Sequence, residues 1–128
     1  PGLYSFLGQI SRVLKKEDYA VIPGVSTVQI AFARIGERWE DATLLSLHGR
    51  KVDDLATRVK NSMKTLLFTD SSFPPPRHAS NMLDKGVENP RAIVMENLSY
   101  PDERIVDTDL KRLREMEGFG LCVMIIMK

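Results

Sequence analysis

The sequence predicts an α/β domain with a mixed sheet of about five strands and helices packed on its faces. Short apolar runs, typical of buried strands, alternate along the chain with segments whose apolar residues recur at helical spacing. The 128 residues are 43% apolar and 27% charged, which is ordinary for one soluble globular domain. The stretch from Glu96 to Asp107 is too short for a crossover helix, so we expect at least one antiparallel pair of strands.

The first half of the chain alternates helix and strand patterns. Apolar residues at helical spacing predict helices over residues 3–15, 26–35 and 52–60. Short apolar runs predict strands over residues 19–22, 42–47 and 65–69. Gly36 ends the second helix, since glycine commonly follows the last helical residue.

The second half begins with a proline-rich break. Pro75 or Pro76 opens a helix that runs to Lys85, because proline suits the first helical turn. Strand patterns cover residues 92–96, 104–106 (a short edge strand after the turn at 100–103) and 121–127. Asp107 or Thr108 is expected to cap a helix that reaches Glu117.

Charge and cysteine content argue against several function classes. The 18 Lys and Arg against 17 Asp and Glu give a net charge of +1, without the basic excess of a general nucleic-acid binder. Cys122 is the only cysteine, which excludes an internal disulfide and a cysteine-based zinc site, and we interpret it as a buried strand thiol. His48 and His78 have no metal-ligand spacing around them. No apolar run could span a bilayer, and we expect no metal, nucleic acid or membrane partner.

A first candidate site lies where an apolar run meets Pro23 and Gly24 and a helix follows at once. Ser26 and Gln29 fit a capping box that satisfies the first free amides of the helix. The same amides, with the positive end of the helix dipole, could instead receive an anionic or polar ligand. The motif alone leaves both interpretations open.

Two further segments place functional groups at predicted strand ends. In residues 46–50, Arg50 could pair with a carboxylate, although a solvated loop explains the segment equally simply. Residues 94–104 could present polar groups at a strand end or form a hairpin with Asn and Asp turn chemistry. Gly118-Phe119-Gly120 lacks the third glycine of a dinucleotide fingerprint.

In their order and spacing, these segments resemble the tetrapyrrole (corrin and porphyrin) methylases, which use S-adenosylmethionine. The resemblance rests on Pro1-Gly2-Leu3-Tyr4, residues 21–36, Trp39-x-Asp41-Ala42, Ser46-Leu47-His48-Gly49-Arg50 and Glu96-Asn97-Leu98-Ser99-x-Pro101-Asp102-Glu103-Arg104-Ile105. The last two favour the cobalamin-pathway branch, the precorrin carbon-5 methyltransferases.

The resemblance implies a two-domain enzyme with the cofactor in the cleft between its domains. Pro1 looks like the proline of the Gly-Asp-Pro motif between those domains. Residues 1–128 would then be the C-terminal domain, with the N-terminal domain absent and the helix over residues 1–15 following the motif. The implied activity is S-adenosylmethionine-dependent methyl transfer to carbon 5 of a precorrin in cobalamin (vitamin B12) biosynthesis, releasing S-adenosylhomocysteine. We expect a cytoplasmic homodimer, inactive as this fragment alone.

The resemblance also implies site residues. Those expected to contact the cofactor are Leu3, Ser26, Thr27, Asp70 (where many relatives have methionine), Leu98 and Gly120. Since the substrate carries many carboxylates, Arg50 and Arg38 are the expected clamps, and His48 is expected to orient or deprotonate the macrocycle.

Two alternatives remain open. The chain could be a non-catalytic module that dimerises or packs on a partner, as an apolar face with Met95, Met124 and Met127 would favour. It could also belong to a methylase of another tetrapyrrole.

Overall fold

A mixed sheet organises the computed structural model, which describes residues 6–47 and 54–128. The strands are β1 (Thr43–Ser46), β2 (Lys64–Phe68), β3 (Arg91–Glu96), β4 (Arg104–Asp109) and β5 (Cys122–Met127). Their order across the five-stranded sheet is β1-β2-β5-β3-β4. The β1–β2 pair is parallel and the other pairs are antiparallel, which confirms the predicted mixed sheet.

Five α-helices accompany this sheet within the described residues. They are α1 (Phe6–Val13), α2 (Thr27–Arg34), α3 (Leu55–Lys60), α4 (Pro75–Asp84) and α5 (Leu110–Leu113), with a 3-10 turn at Lys16–Asp18. α2 packs against one face, whereas α3, α4 and α5 pack against the other. No helix in the described ranges is long and apolar enough to cross a membrane.

The alternation of side chains along the strands builds two apolar cores. On β5, Met124 belongs to the core under α3, α4 and α5, while Ile125 belongs to the core under α2. The prediction that three methionines share one apolar face is therefore wrong. Met95 and Met124 are 1% and 0% exposed and lie in different cores, and Met127 is half-buried.

The predicted strand over residues 19–22 is also wrong. This segment has no regular structure, and Val21 and Ile22 are 48% and 86% exposed. An apolar run becomes a strand only where a neighbouring backbone pairs with it, and β1 pairs with β2 rather than with these residues.

The predicted boundary between the edge strand and the last helix needs correction. β4 continues to Asp109, because all six of its residues pair with β3 up to the Arg91–Asp109 register. Asp109, rather than Asp107 or Thr108, caps α5, since its carboxylate accepts the amide of Arg112 at 2.9 Å. The helix ends at Leu113 and does not reach Glu117.

β2 and β3 end, and β4 and β5 begin, at the same end of the sheet, which we call the carboxyl edge. The register pairs Phe68 with Val123, and Glu96 with both Cys122 and Arg104. Ligands of open α/β sheets bind at such edges.

Candidate functional site

A cavity of about 230 Å³ lies at the carboxyl edge. It is lined by Thr27, Phe68, Thr69, Met95, Asn97, Leu98, Tyr100, Leu121, Cys122 and Val123. These residues come from the start of α2, the ends of β2 and β3, the loop between β3 and β4, and the start of β5. Four stretches of chain that are distant in sequence therefore build one concave, mainly apolar site.

The start of α2 forms one wall. The hydroxyl of Ser26 accepts the amide of Gln29 at 3.3 Å, and the side-chain oxygen of Gln29 accepts the amide of Ser26 at 2.8 Å. This confirms the predicted capping box. Of this pair, Thr27 lines the cavity, while the Ser26 hydroxyl is engaged in the cap.

The loop between β3 and β4 forms a second wall. Residues 94–104 form the predicted antiparallel hairpin, and its loop also lines the cavity. The side-chain amide of Asn97 donates to Asp102 Oδ2 at 2.7 Å, as expected for Asn and Asp turn chemistry. Leu98 and Tyr100 complete this wall.

Thr69 and Cys122 meet at the inner surface of the cavity. The Thr69 hydroxyl donates to the carbonyl of Cys122 at 2.9 Å, and its oxygen lies 3.2 Å from the Cys122 sulfur. Burial raises the pKa of the Cys122 thiol, and the charge of Glu96 raises it further, while the contact between the sulfur and the Thr69 hydroxyl opposes them. The thiol is therefore protonated at neutral pH, which suits the predicted buried strand cysteine rather than a nucleophile.

Glu96 fastens the segment that leads into β5. Its Oε1 accepts the amide of Gly120 at 2.7 Å, and its Oε2 lies 3.3 Å from Arg104 Nη1. The guanidinium of Arg104 in turn lies over the Phe119 ring, 5.2 Å from the centroid. These contacts hold the segment beside the cavity, where Leu121 contributes to the lining.

The structure brings several of the predicted cofactor residues to one place. Thr27 and Leu98 line the cavity, Ser26 caps the helix beside it, and Gly120 precedes the lining residue Leu121. Asp70 follows the lining residue Thr69, but its Oδ1 accepts the amides of Ser72 and Phe73 at 2.9 and 3.0 Å and so stabilises its own turn.

Arg38, the one predicted substrate residue that the structure describes, does not line the cavity. The carbonyl of Arg38 accepts Lys64 Nζ at 3.1 Å, and Lys64 begins β2, at the end of the sheet opposite the carboxyl edge. Arg38 also pairs with Glu40 at 3.0 Å in an exposed position. Leu3, His48 and Arg50 lie outside the described residues.

Met95, Asn97 and Tyr100 lie in the predicted candidate segment 94–104, but sequence reasoning missed five other lining residues: Phe68, Thr69, Leu121, Cys122 and Val123. The signal that could have found them is their common position at a strand end or start, which becomes informative once the strand order is known.

The lining decides what the cavity can do chemically. Within the described part of the lining, Tyr100 and Cys122 are the titratable groups, and the Cys122 thiol stays protonated. Apolar side chains can cover a planar or thioether group, while the polar ends of Thr27 and Asn97 can orient it. The arrangement therefore suits binding and positioning of a ligand rather than acid–base chemistry by the lining itself.

Comparison with known proteins connects this geometry to one family. The family model described as Tetrapyrrole (Corrin/Porphyrin) Methylases matches residues 1–114. A curated protein of Methanocaldococcus jannaschii, named "Probable cobalt-precorrin-7 C(5)-methyltransferase", is 33% identical in an alignment 118 residues long, which covers 87% of this chain and 53% of that protein. The chain spans from 23% to 53% of the length of its first curated relatives.

Solved structures share the fold. Uroporphyrin-III C-methyl transferase of Thermus thermophilus, solved in complex with S-adenyl homocysteine, aligns with a TM-score of 0.75 at 19% identity, covering 100% of this chain and 62% of that one. Precorrin-6Y methylase of Archaeoglobus fulgidus aligns with a TM-score of 0.63 at 21% identity, covering 98% of this chain and 57% of that one.

Proposed function

The chain belongs to the tetrapyrrole (corrin/porphyrin) methylase family, and we propose that it takes part in S-adenosylmethionine-dependent methyl transfer to carbon 5 of a precorrin in cobalamin biosynthesis. The observation that carries the proposal is the cavity at the carboxyl edge, into which Thr27 and Leu98 converge from separate elements. The carbon-5 assignment is supported by the relative from M. jannaschii, whose name specifies that position.

The size and lining of the cavity fit part of the cofactor. Ligand pockets commonly span roughly 300–1,000 Å³, so a cavity of about 230 Å³ holds only a portion of a nucleoside-containing ligand. Leu98 and Leu121 offer apolar surface for an adenine ring, and Thr27 and Asn97 offer polar groups beside it. The remainder of the ligand then needs a second surface.

We assign residues 1–128 to the C-terminal domain of a two-domain methylase. Exposed apolar side chains support a covering partner: Phe6 on α1 is 68% exposed, and Ile22 and Val25 are 86% and 76% exposed. Leu121, which lines the cavity, is itself 74% exposed. A preceding domain over these residues would bury apolar surface and close the open side of the cavity.

The contribution of this chain to the reaction is positioning. Bound S-adenosylmethionine would supply an electrophilic methyl group, whose transfer by direct displacement depends on alignment more than on proton transfer. Thr27 and Asn97 orient the ligand from two walls, and Leu98 and Leu121 exclude water from it. Arg50 and His48 stay predicted substrate residues, and Arg38 keeps that role only if the substrate extends well beyond the cavity.

The same proposal includes a homodimer in the cytoplasm. The exposed apolar face of α1, with Val13 83% exposed, supports association with a further surface. The cytoplasmic location rests on the family resemblance alone.

Titration of S-adenosylhomocysteine into the complete gene product tests the cofactor assignment. We expect binding by the complete protein and much weaker binding by the 128-residue chain, because the cavity holds only part of the ligand. Thr27→Val should raise the Kd about threefold through loss of one hydrogen bond. Thr57→Val, on the exposed surface of α3, is the matched control and should leave the Kd unchanged. Absence of binding by the complete protein would overturn the assignment.

A further inference from the structure

The loop between β3 and β4 holds two residues in an unfavourable backbone conformation. Asn97 and Ser99 have φ values of 49° and 71°, in the left-handed region that favours glycine. Such conformations persist where surrounding contacts hold them. Because residues 97–103 contribute three residues to the cavity lining, the contacts that hold the loop also decide the shape of that wall.

Glu103 holds the loop from within. Its Oε2 accepts the amide of Ser99 at 2.7 Å, so the carboxylate bonds to one of the two residues with positive φ. Two backbone hydrogen bonds close the same turn, from the Tyr100 amide to the Asn97 carbonyl at 2.9 Å and from the Glu103 amide to the Tyr100 carbonyl at 3.1 Å.

Arg34 holds Glu103 from a different element. Its Nε donates to Oε1 at 2.6 Å and its Nη2 donates to Oε2 at 3.0 Å, which is the two-point geometry of a strong charge-assisted pair. Arg34 is the last residue of α2, and Thr27, the first residue of α2, lines the cavity. The pair therefore joins the helix that forms one wall to the loop that forms another.

We propose that Arg34 and Glu103 are positioning residues of the cavity, whose bidentate pair fixes residues 97–103 against α2 in the conformation that binds the ligand. The identity of that ligand rests on the proposed function. Neither side chain lines the cavity, so both act through Ser99 and the neighbouring lining residues Leu98 and Tyr100.

The structure supplies the variants and a matched control. Glu103→Gln keeps an oxygen that can accept the Ser99 amide but removes the charge, and Arg34→Gln removes the other half of the pair. Asp107→Asn is the control, since Arg91 binds Asp107 in the same two-point manner at 2.9 and 2.6 Å. Arg91 begins β3, so the control pair lies away from the carboxyl edge.

Two measurements on the complete gene product test the proposal. Amide hydrogen exchange of the peptide spanning residues 97–103 should be faster in both single variants and unchanged in Asp107→Asn. The Kd for S-adenosylhomocysteine should rise about fivefold in each single variant and stay within about twofold of wild type in the control. The double variant should bind no more weakly than either single variant, because both changes remove the same interaction.

Unchanged exchange in the loop, or Kd values equal to that of the control, would overturn the positioning role. If the wild-type protein binds no S-adenosylhomocysteine, the proposed function fails. The exchange comparison would then decide by itself whether the pair holds the loop.

Discussion

The carboxylate of Glu96 accepts the backbone amide of Gly120 at 2.7 Å, which links the end of β3 to the segment that enters β5. Glu96 is 7% exposed, so this charged group is almost fully removed from water. A buried carboxylate is tolerated when hydrogen bonds and an opposite charge satisfy it, as Gly120 and Arg104 do here. The contact fixes one rim of the cavity through the backbone of a residue that the sequence singled out.

Two replacements of Glu96 should distinguish the contribution of its hydrogen bond to stability from the contribution of its charge. Glu96→Gln retains an acceptor for the Gly120 amide, whereas Glu96→Ala removes the acceptor and leaves Arg104 without this partner. We expect Glu96→Ala to lower the free energy of unfolding by about 2 kcal/mol, and Glu96→Gln by less than half of that. Urea unfolding curves with equal slopes measure the difference, and equal losses in the two variants would contradict the role of this hydrogen bond.

Gly120→Ala tests the rim without disturbing the fold. A Cβ at this position would meet Glu96 Oε1 at 3.8 Å, which is ordinary van der Waals contact. We therefore expect a melting temperature close to that of wild type, with weaker binding of S-adenosylhomocysteine if the Gly120 backbone borders the ligand. Calorimetric titration measures the affinity, and Gly8→Ala, whose Cβ would meet nothing within 4 Å, is the matched control. Unchanged affinity would remove Gly120 from the site.

Ser26→Ala should destabilise the start of α2. The substitution removes the acceptor of the Gln29 amide and half of the capping box, which costs about 1 kcal/mol in comparable helices. Ser26→Asp should restore most of the loss, because aspartate also caps and favours the positive end of the helix dipole. Thermal unfolding checks both variants, and an alanine variant as stable as wild type would show that the cap contributes nothing.

His78 makes stability depend on pH. It is 5% exposed on α4, and neither ring nitrogen has a well-formed hydrogen bond. Burial lowers its pKa from 6.5 to about 4, against the opposing influence of Asp70 and the Phe73 backbone. The unfolded chain therefore binds the proton more readily, so stability is complete above pH 6.5 and falls as the pH drops towards 4.

We expect the free energy of unfolding to fall by about 3 kcal/mol through this window in wild type and to change much less in His78→Leu. Urea unfolding at several pH values measures the effect. Ion-paired carboxylates such as Glu103 and Asp107 also have lowered pKa values, so their loss of stability comes at lower pH and is separable. An equal slope in wild type and His78→Leu would contradict the assignment to His78.

Most of the fold could be predicted from local pattern. The runs that became β2, β3 and β5 are apolar enough to be buried on both faces, and α4 begins at Pro75 as proline chemistry predicts. Residues 19–22 carry the same apolar signal, but pairing depends on a neighbouring strand that no local pattern reveals. Pairing also explains why β4 continues beyond its apolar residues, since β3 pairs with it as far as Asp109.

The site was harder to predict, because its lining residues are far apart in sequence and only the order of the strands in the sheet brings them together. The family resemblance pointed to Thr27 and Leu98, and both line the cavity. Thr69 and Cys122 carry no motif, and they face the cavity because β2 and β5 are neighbours. The pair between Arg34 and Glu103 spans 69 positions in the sequence, beyond the reach of any spacing rule.

Transfer of an isotope-labelled methyl group from S-adenosylmethionine to a cobalt-precorrin, catalysed by the complete gene product, tests the central claim most directly. We expect a product that carries the label at carbon 5, located by NMR, and formation of S-adenosylhomocysteine in equal amount. Both should be slower in Thr27→Val, which lines the cavity, and unaffected in Thr57→Val. Label at another ring carbon would contradict the substrate assignment, and absence of label from protein that binds both ligands would contradict methyl transfer itself.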